Sequence, residues 1–157
     1  RAIYTEFPNA PCWTLSGTEP TNRGGCVDVG SPNAFRDAGG NTNTYAPKWA
    51  YNLKADYRMP LSDALEARAM LNINYSDDHF VAADLDPIYG FQEAYTTYDL
   101  RLSLGDTAGL WELALIGRNL TDELISGNSD DQPLVPGNGF AQTNRLRSYA
   151  LQGTYRF

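Results

Sequence analysis

The chain has 157 residues, 42% of them hydrophobic, with 19 Asp and Glu against 12 Lys and Arg for a net charge of −7. Lysine is reduced to Lys48 and Lys54 and no Lys/Arg cluster occurs, so nothing is available to neutralise a row of phosphates, which excludes a nucleic-acid partner. No run approaches the ~18 apolar residues of a transmembrane helix, and no stretch longer than a turn or two carries the 3.6-residue apolar pattern of a soluble helical protein.

The chain opens on Arg1-Ala-Ile-Tyr-Thr-Glu-Phe7 without a Met or a signal peptide. This stretch reads as the tail of a strand, and the chain as the closing residues of a longer protein. Cys12 and Cys26 follow, with 13 residues between them. Such a pair binds a metal or forms a disulfide. A metal needs further ligands, and the one histidine, His79, lies far along the chain. A disulfide is the better fit. It closes a loop worth about 3 kcal/mol in chain entropy and implies an oxidising compartment such as the periplasm or cell surface. Gly30-Ser-Pro-Asn33 and Gly39-Gly-Asn-Thr-Asn43 then supply turns, making 8–46 a long loop of the kind that carries function in compact proteins.

From Lys48 to Met59 the side chains alternate, Trp49, Tyr51, Leu53, Ala55, Tyr57 and Met59 against Lys48, Ala50, Asn52, Lys54, Asp56 and Arg58. The segment is longer than the usual soluble strand and close to the roughly 9–11 residues that a tilted strand needs to span a bilayer. After the short turn Pro60-Leu-Ser-Asp-Ala64 the alternation resumes from Leu65 to Tyr75. A long segment, 76–94, precedes a third strand, Tyr95 to Gly105. The short turn Asp106-Thr-Ala-Gly109 leads to a fourth, Trp111 to Asn119, and a long segment, 120–144, to the last, Arg147 to Phe157. In that last strand Tyr149, Leu151, Gly153, Tyr155 and Phe157 share one face. An apolar strand face meets either a protein core or lipid. Short turns alternating with long loops, aromatics at both strand ends and charged residues on the opposite face favour an outer-membrane barrel over a soluble sandwich.

Three motifs carry a resemblance. Gly117-Arg-Asn-Leu-Thr-Asp-Glu123 looks like the (V/G)xNLxD(K/E) signature of TonB-dependent outer-membrane transporters. Tyr45-Ala-Pro-Lys-Trp-Ala-Tyr-Asn52 resembles their xPxWxxN strand start, and Tyr155-Arg-Phe157 is similar to their closing strand, whose final aromatic the barrel-assembly machinery reads. The resemblance covers Tyr45 to Phe157 and implies an all-β fold, an antiparallel transmembrane β-barrel of about 22 strands, of which residues 1–157 supply the last five to six. It also implies a plug domain and earlier strands upstream, a TonB energy-coupling protein as partner through that plug, contact with lipid and lipopolysaccharide, and a place in the outer membrane of a Gram-negative bacterium. Tyr155 and Phe157 would be the assembly signal.

The chemistry then falls to the extracellular loops 8–46, 76–94 and 120–144. The expected function is energy-coupled uptake of a scarce nutrient such as a siderophore, metal chelate or oligosaccharide. The alternatives are a surface binding protein or adhesin and a passive porin. Trp13, Tyr89, Phe91 and Phe140 offer faces for stacking on a small-molecule ligand, or anchors for the loops themselves. Asp84, Asp86, Asp130 and Asp131, in loops without Lys or Arg, join these aromatics as candidate ligand-binding residues. They are read as solvated carboxylates that favour neutral or cationic cargo, because the twelve-residue spacing of a calcium loop is absent and Ca²⁺ is the lesser reading. No cofactor and no catalysis are expected, since no Ser-His-Asp spacing occurs.

Overall fold

The computed structural model describes residues 2–12, 35–87, 89–132 and 138–157. Among them there is no helix. The strands in chain order are β1 (Ala10–Pro11), β2 (Phe35–Arg36), β3 (Ala50–Pro60), β4 (Leu65–Ser76), β5 (His79–Phe80), β6 (Phe91–Gln92), β7 (Tyr95–Asp106), β8 (Trp111–Arg118), β9 (Ser126–Asp131), β10 (Gly139–Thr143) and β11 (Ser148–Tyr155). Every pairing is antiparallel. The chain divides into a sheet unit, Trp49–Ser76, Tyr95–Leu124 and Arg145–Phe157, and a loop unit, Arg1–Lys48, Asp77–Ala94 and Ile125–Asn144.

The sheet unit holds the five long strands in the order β11-β8-β7-β4-β3. Because side chains alternate with period two, register decides whether five apolar faces coincide or scatter. They coincide. One row reads Tyr57↔Ala69↔Leu102↔Leu115↔Leu151, the next Met59↔Ala67↔Leu104↔Leu113↔Gly153. Rings gather at the ends, with Tyr51 stacked on Tyr75 at 4.9 Å between centroids and Tyr155 paired with Trp111. This face lies open, Tyr57 at 65% and Leu151 at 72% exposure. The opposite face carries Arg58↔Arg68↔Ser103↔Ala114↔Gln152 and its neighbours.

The two short connections are tight turns. Leu61 N–H donates to Leu65 O at 2.8 Å, and Gly109 N–H to Asp106 O at 2.9 Å. Gly109 has φ +75°, a conformation that costs glycine least. Strand limits exceed or fall short of the alternating segments by one to a few residues, as when pairing with Ala50 and Tyr95 carries β4 on to Ser76. The sheet is open, since β3 and β11 each pair on one side only.

Two expectations need correction here. Residues 2–7 are not the tail of a further strand of this sheet. Ile3 makes an isolated bridge to Thr42, and Tyr4 N–H donates to Asn41 O at 2.9 Å. Tyr4 and Phe7 pack with Phe80 around buried Ala10, Ala38 and Leu85, so burial of two nearby rings overrides a short alternation. The long loops are also not irregular throughout, for β1 pairs with β2, β5 with β6 and β9 with β10.

Candidate functional site

The loop unit is built around the small core of Ala10, Ala38 and Leu85. Asp84 and Asp86, expected as solvated carboxylates, are instead 7% and 1% exposed. The chain folds back on itself at this point. Val81 N–H donates to Gly90 O at 2.7 Å, Gly90 N–H to Asp86 O at 3.1 Å, and Asp86 N–H to the Asp84 carboxylate at 3.2 Å. A Cβ on Gly90 would lie 2.4 Å from that of Ala82, so the fold-back needs glycine. Arg36, also buried, donates from Nη2 to the Asp84 carbonyl at 2.5 Å. Burial lowers the pKa of its guanidinium and the charge of Asp84 opposes that shift. Both carboxylates are thus buried within the fold-back, where Asp84 accepts from Asp86 N–H.

Tyr89, Phe91 and Phe140 are exposed. Phe91 meets Phe80 edge-on, with centroids 5.3 Å apart. Phe140 pairs across the β9–β10 hairpin with exposed Asp130, and a Cβ on neighbouring Gly139 would sit 3.4 Å from Tyr89 Cγ. Asp130 and Phe140 thus share one face of the hairpin, a ring beside a carboxylate that suits a ligand ring with polar or cationic substituents, while Tyr89 packs on the Gly139 side, the opposite face. Asp131 pairs with Gly139 along the backbone, but its side chain lies outside the described residues, as do Trp13 and Cys26. Among the described residues no three His, Cys, Asp or Glu converge on a metal position. Cys12 is not a free thiol.

Tyr45, read from the sequence only as the start of the Tyr45–Asn52 motif, has a further role in this unit. Tyr45 has φ +56°, unusual for a bulky residue. Its hydroxyl donates to Val81 O and contacts Asn128 Oδ1, each at 2.8 Å, while its N–H donates to Phe80 O at 2.8 Å. It ties three loop segments together, and the only signal was a tyrosine standing two residues before proline.

The Asn-Leu-Thr-Asp-Glu motif of the sheet unit is a structural cap. Asn119 at φ +48° is buried. It accepts from Glu123 N–H at 3.0 Å and donates to Glu123 O at 2.8 Å and Arg145 O at 3.3 Å. Thr121 donates to Thr96 O at 2.8 Å, and Asp122 accepts from Arg147 N–H at 2.9 Å and from its guanidinium at 3.2 Å. The motif therefore binds the end of β8 to β7 and to the start of β11. Gly117 leaves room for Leu120, whose Cδ2 a Cβ there would meet at 2.7 Å.

The polar face is cross-linked. Asp56 pairs with Arg68 and Glu112 with Arg101, which also donates to Gln152 at 2.8 Å. Asn52 donates to Asn72 at 2.6 Å and Asn74 at 2.5 Å, and Asn72 to Asp99 at 3.3 Å. At the end of β11 the Tyr155 and Phe157 rings lie 6.3 Å apart, with Phe157 beyond the strand and fully exposed. Among known families, curated proteins and solved structures, none matches this chain.

Proposed function

We propose that the chain is the closing part of an outer-membrane β-barrel of the TonB-dependent transporter kind, taking up a scarce nutrient captured by the loop unit. The observation that carries this reading is the register. It brings five apolar strand faces onto one uncovered surface and leaves the charges on the other side, many of them paired. Twelve residues in β4 and in β7 at about 3.3 Å each give about 40 Å, and a tilt near 45° leaves about 28 Å, the thickness of a bilayer core. Rings at the strand ends suit the two membrane interfaces. Free edges on β3 and β11 call for further strands, because unpaired backbone in lipid costs several kcal/mol per group.

In this reading the lacking strands and plug belong to the rest of the protein, TonB couples through the plug, and the assembly machinery reads Tyr155 and Phe157. Asp130 and Phe140, paired on one face of the β9–β10 hairpin, form the ligand surface. A surface binding protein that transports nothing draws on the same loop unit, whose own buried core makes a preformed contact surface. The test is uptake by whole cells carrying the full-length protein, with and without a proton-gradient uncoupler. Uptake that stops with the uncoupler supports the importer; binding without uptake in either condition supports the alternative and sinks transport.

A further inference from the structure

The polar face of the sheet has an apolar centre. In the row Asp56↔Met70↔Arg101↔Ile116↔Ala150, Met70 and Ile116 interrupt the run of polar residues. The next row reads Lys54↔Asn72↔Asp99, with Arg118 on the following strand opposite Ser148. Over these two rows lies a cleft of about 520 Å³. That volume falls in the range of small-molecule sites, and an apolar floor with a few polar groups is their usual construction.

The charges in the cleft do not cancel. Asp56 is taken by Arg68, and Arg101 by Glu112. Asp99 accepts from Asn72 at 3.3 Å and from Asn119 N–H at 2.9 Å, so neutral donors hold it and its negative charge remains. Lys54 and Arg118 make no ion pair or side-chain hydrogen bond among the described residues. Two cations against one carboxylate leave the cleft with one net positive charge beside an apolar floor. A ligand that matches both features has an apolar body and a single negative charge.

We propose that this cleft binds a small amphipathic monoanion. Its apolar body lies on Met70 and Ile116, and its carboxylate or equivalent group is taken by the fork of Arg118, the geometry that holds oxyanions best. Lys54 stands three strands away, about 14 Å at the backbone, and adds attraction over distance. The site rests on the sheet unit alone and does not depend on transport.

The test is equilibrium titration of the full-length protein, in an uncharged detergent, with 2-naphthoate, its neutral counterpart 2-naphthamide, and acetate. The expected result is naphthoate binding about tenfold tighter than either, since charge and body both contribute. Arg118→Met removes that advantage, Arg118→Lys restores part of it, Lys54→Met costs a few-fold, and Met70→Asp abolishes binding. Arg156→Met, outside the cleft, leaves it unchanged. Circular dichroism keeps each variant comparable in strand content. Equal binding of naphthoate and naphthamide, or naphthoate binding indifferent to Arg118→Met and Met70→Asp in folded protein, overturns the proposal.

Discussion

The two units of the chain are stabilised in opposite ways. The loop unit contains Ala10, Ala38, Val81, Ala82 and Leu85 as buried apolar residues, whereas the five-stranded sheet buries only Ala114. Charge divides as unevenly. The loop unit has eleven acidic and four basic residues and so holds the whole net charge of −7, while the sheet unit has eight of each. The loop unit makes its own interior and meets water with excess negative charge. The sheet balances its charges on one face and offers the other to something outside the chain. Hydrophobic burial contributes about 25 cal/mol per Å² of apolar surface covered, so a sheet whose large side chains lie bare gains its main stabilisation only from a covering medium.

The sharpest way to break this contrast is to put a charge on the bare face. Leu102→Arg, in the middle of an apolar row, is expected to cost about 3 kcal/mol in a bilayer, read as a lower midpoint in denaturant titration of vesicle-inserted protein. Ser103→Arg, one residue along on the polar face, is expected to be nearly neutral. Similar losses from both would end the distinction between faces.

Reduction of the Cys12 disulfide, which we propose joins Cys26, acts on the other unit. About 3 kcal/mol of loop closure is lost, and amide exchange should accelerate in the loop unit while β4 and β7 stay protected. Mass spectrometry of the unreduced protein checks the pairing, and two alkylatable thiols would contradict it.

Asn119→Ala comes next. Opening the buried cap strands three backbone groups, Glu123 N–H, Glu123 O and Arg145 O, at about 2 kcal/mol, with faster exchange where β8 meets β11. A variant as stable as the parent would show the cap to be dispensable. Tyr45→Phe is the mildest change. Loss of the hydroxyl bonds to Val81 and Asn128 costs about 1 kcal/mol and should quicken exchange only within the loop unit, measured by the same amide exchange.

The strands were legible because alternation is a local property. Trp49 to Met59 declares its two faces without reference to any neighbour, and pairing then adjusts the ends, as at Ser76. The loop unit was not legible, because its order is tertiary. Ser126-Gly-Asn-Ser-Asp-Asp131 has neither alternation nor strand-forming residues, yet it pairs with Gly139–Thr143. Asp84 and Asp86 looked solvated because carboxylates usually are, and their burial follows from the approach of Gly90 to Ala82, 8 positions away in sequence. The Asn119 motif was visible as a signature, but its role as a cap required the positions of Thr96, Arg145 and Arg147. Of the proposed ligand residues, Asp130 and Phe140 were identified singly, and only the β9–β10 hairpin pairs them.

Whether the bare face meets lipid can be read residue by residue. Nitroxide labels placed by Leu102→Cys, Ser103→Cys, Leu104→Cys, Leu113→Cys, Ala114→Cys and Leu115→Cys, one at a time in the full-length protein, report collision with oxygen dissolved in lipid or with a water-soluble nickel chelate. The result we predict is strict alternation, positions 102, 104, 113 and 115 meeting oxygen and 103 and 114 not. Uniform access of the nickel chelate to all six positions would contradict a membrane-facing sheet.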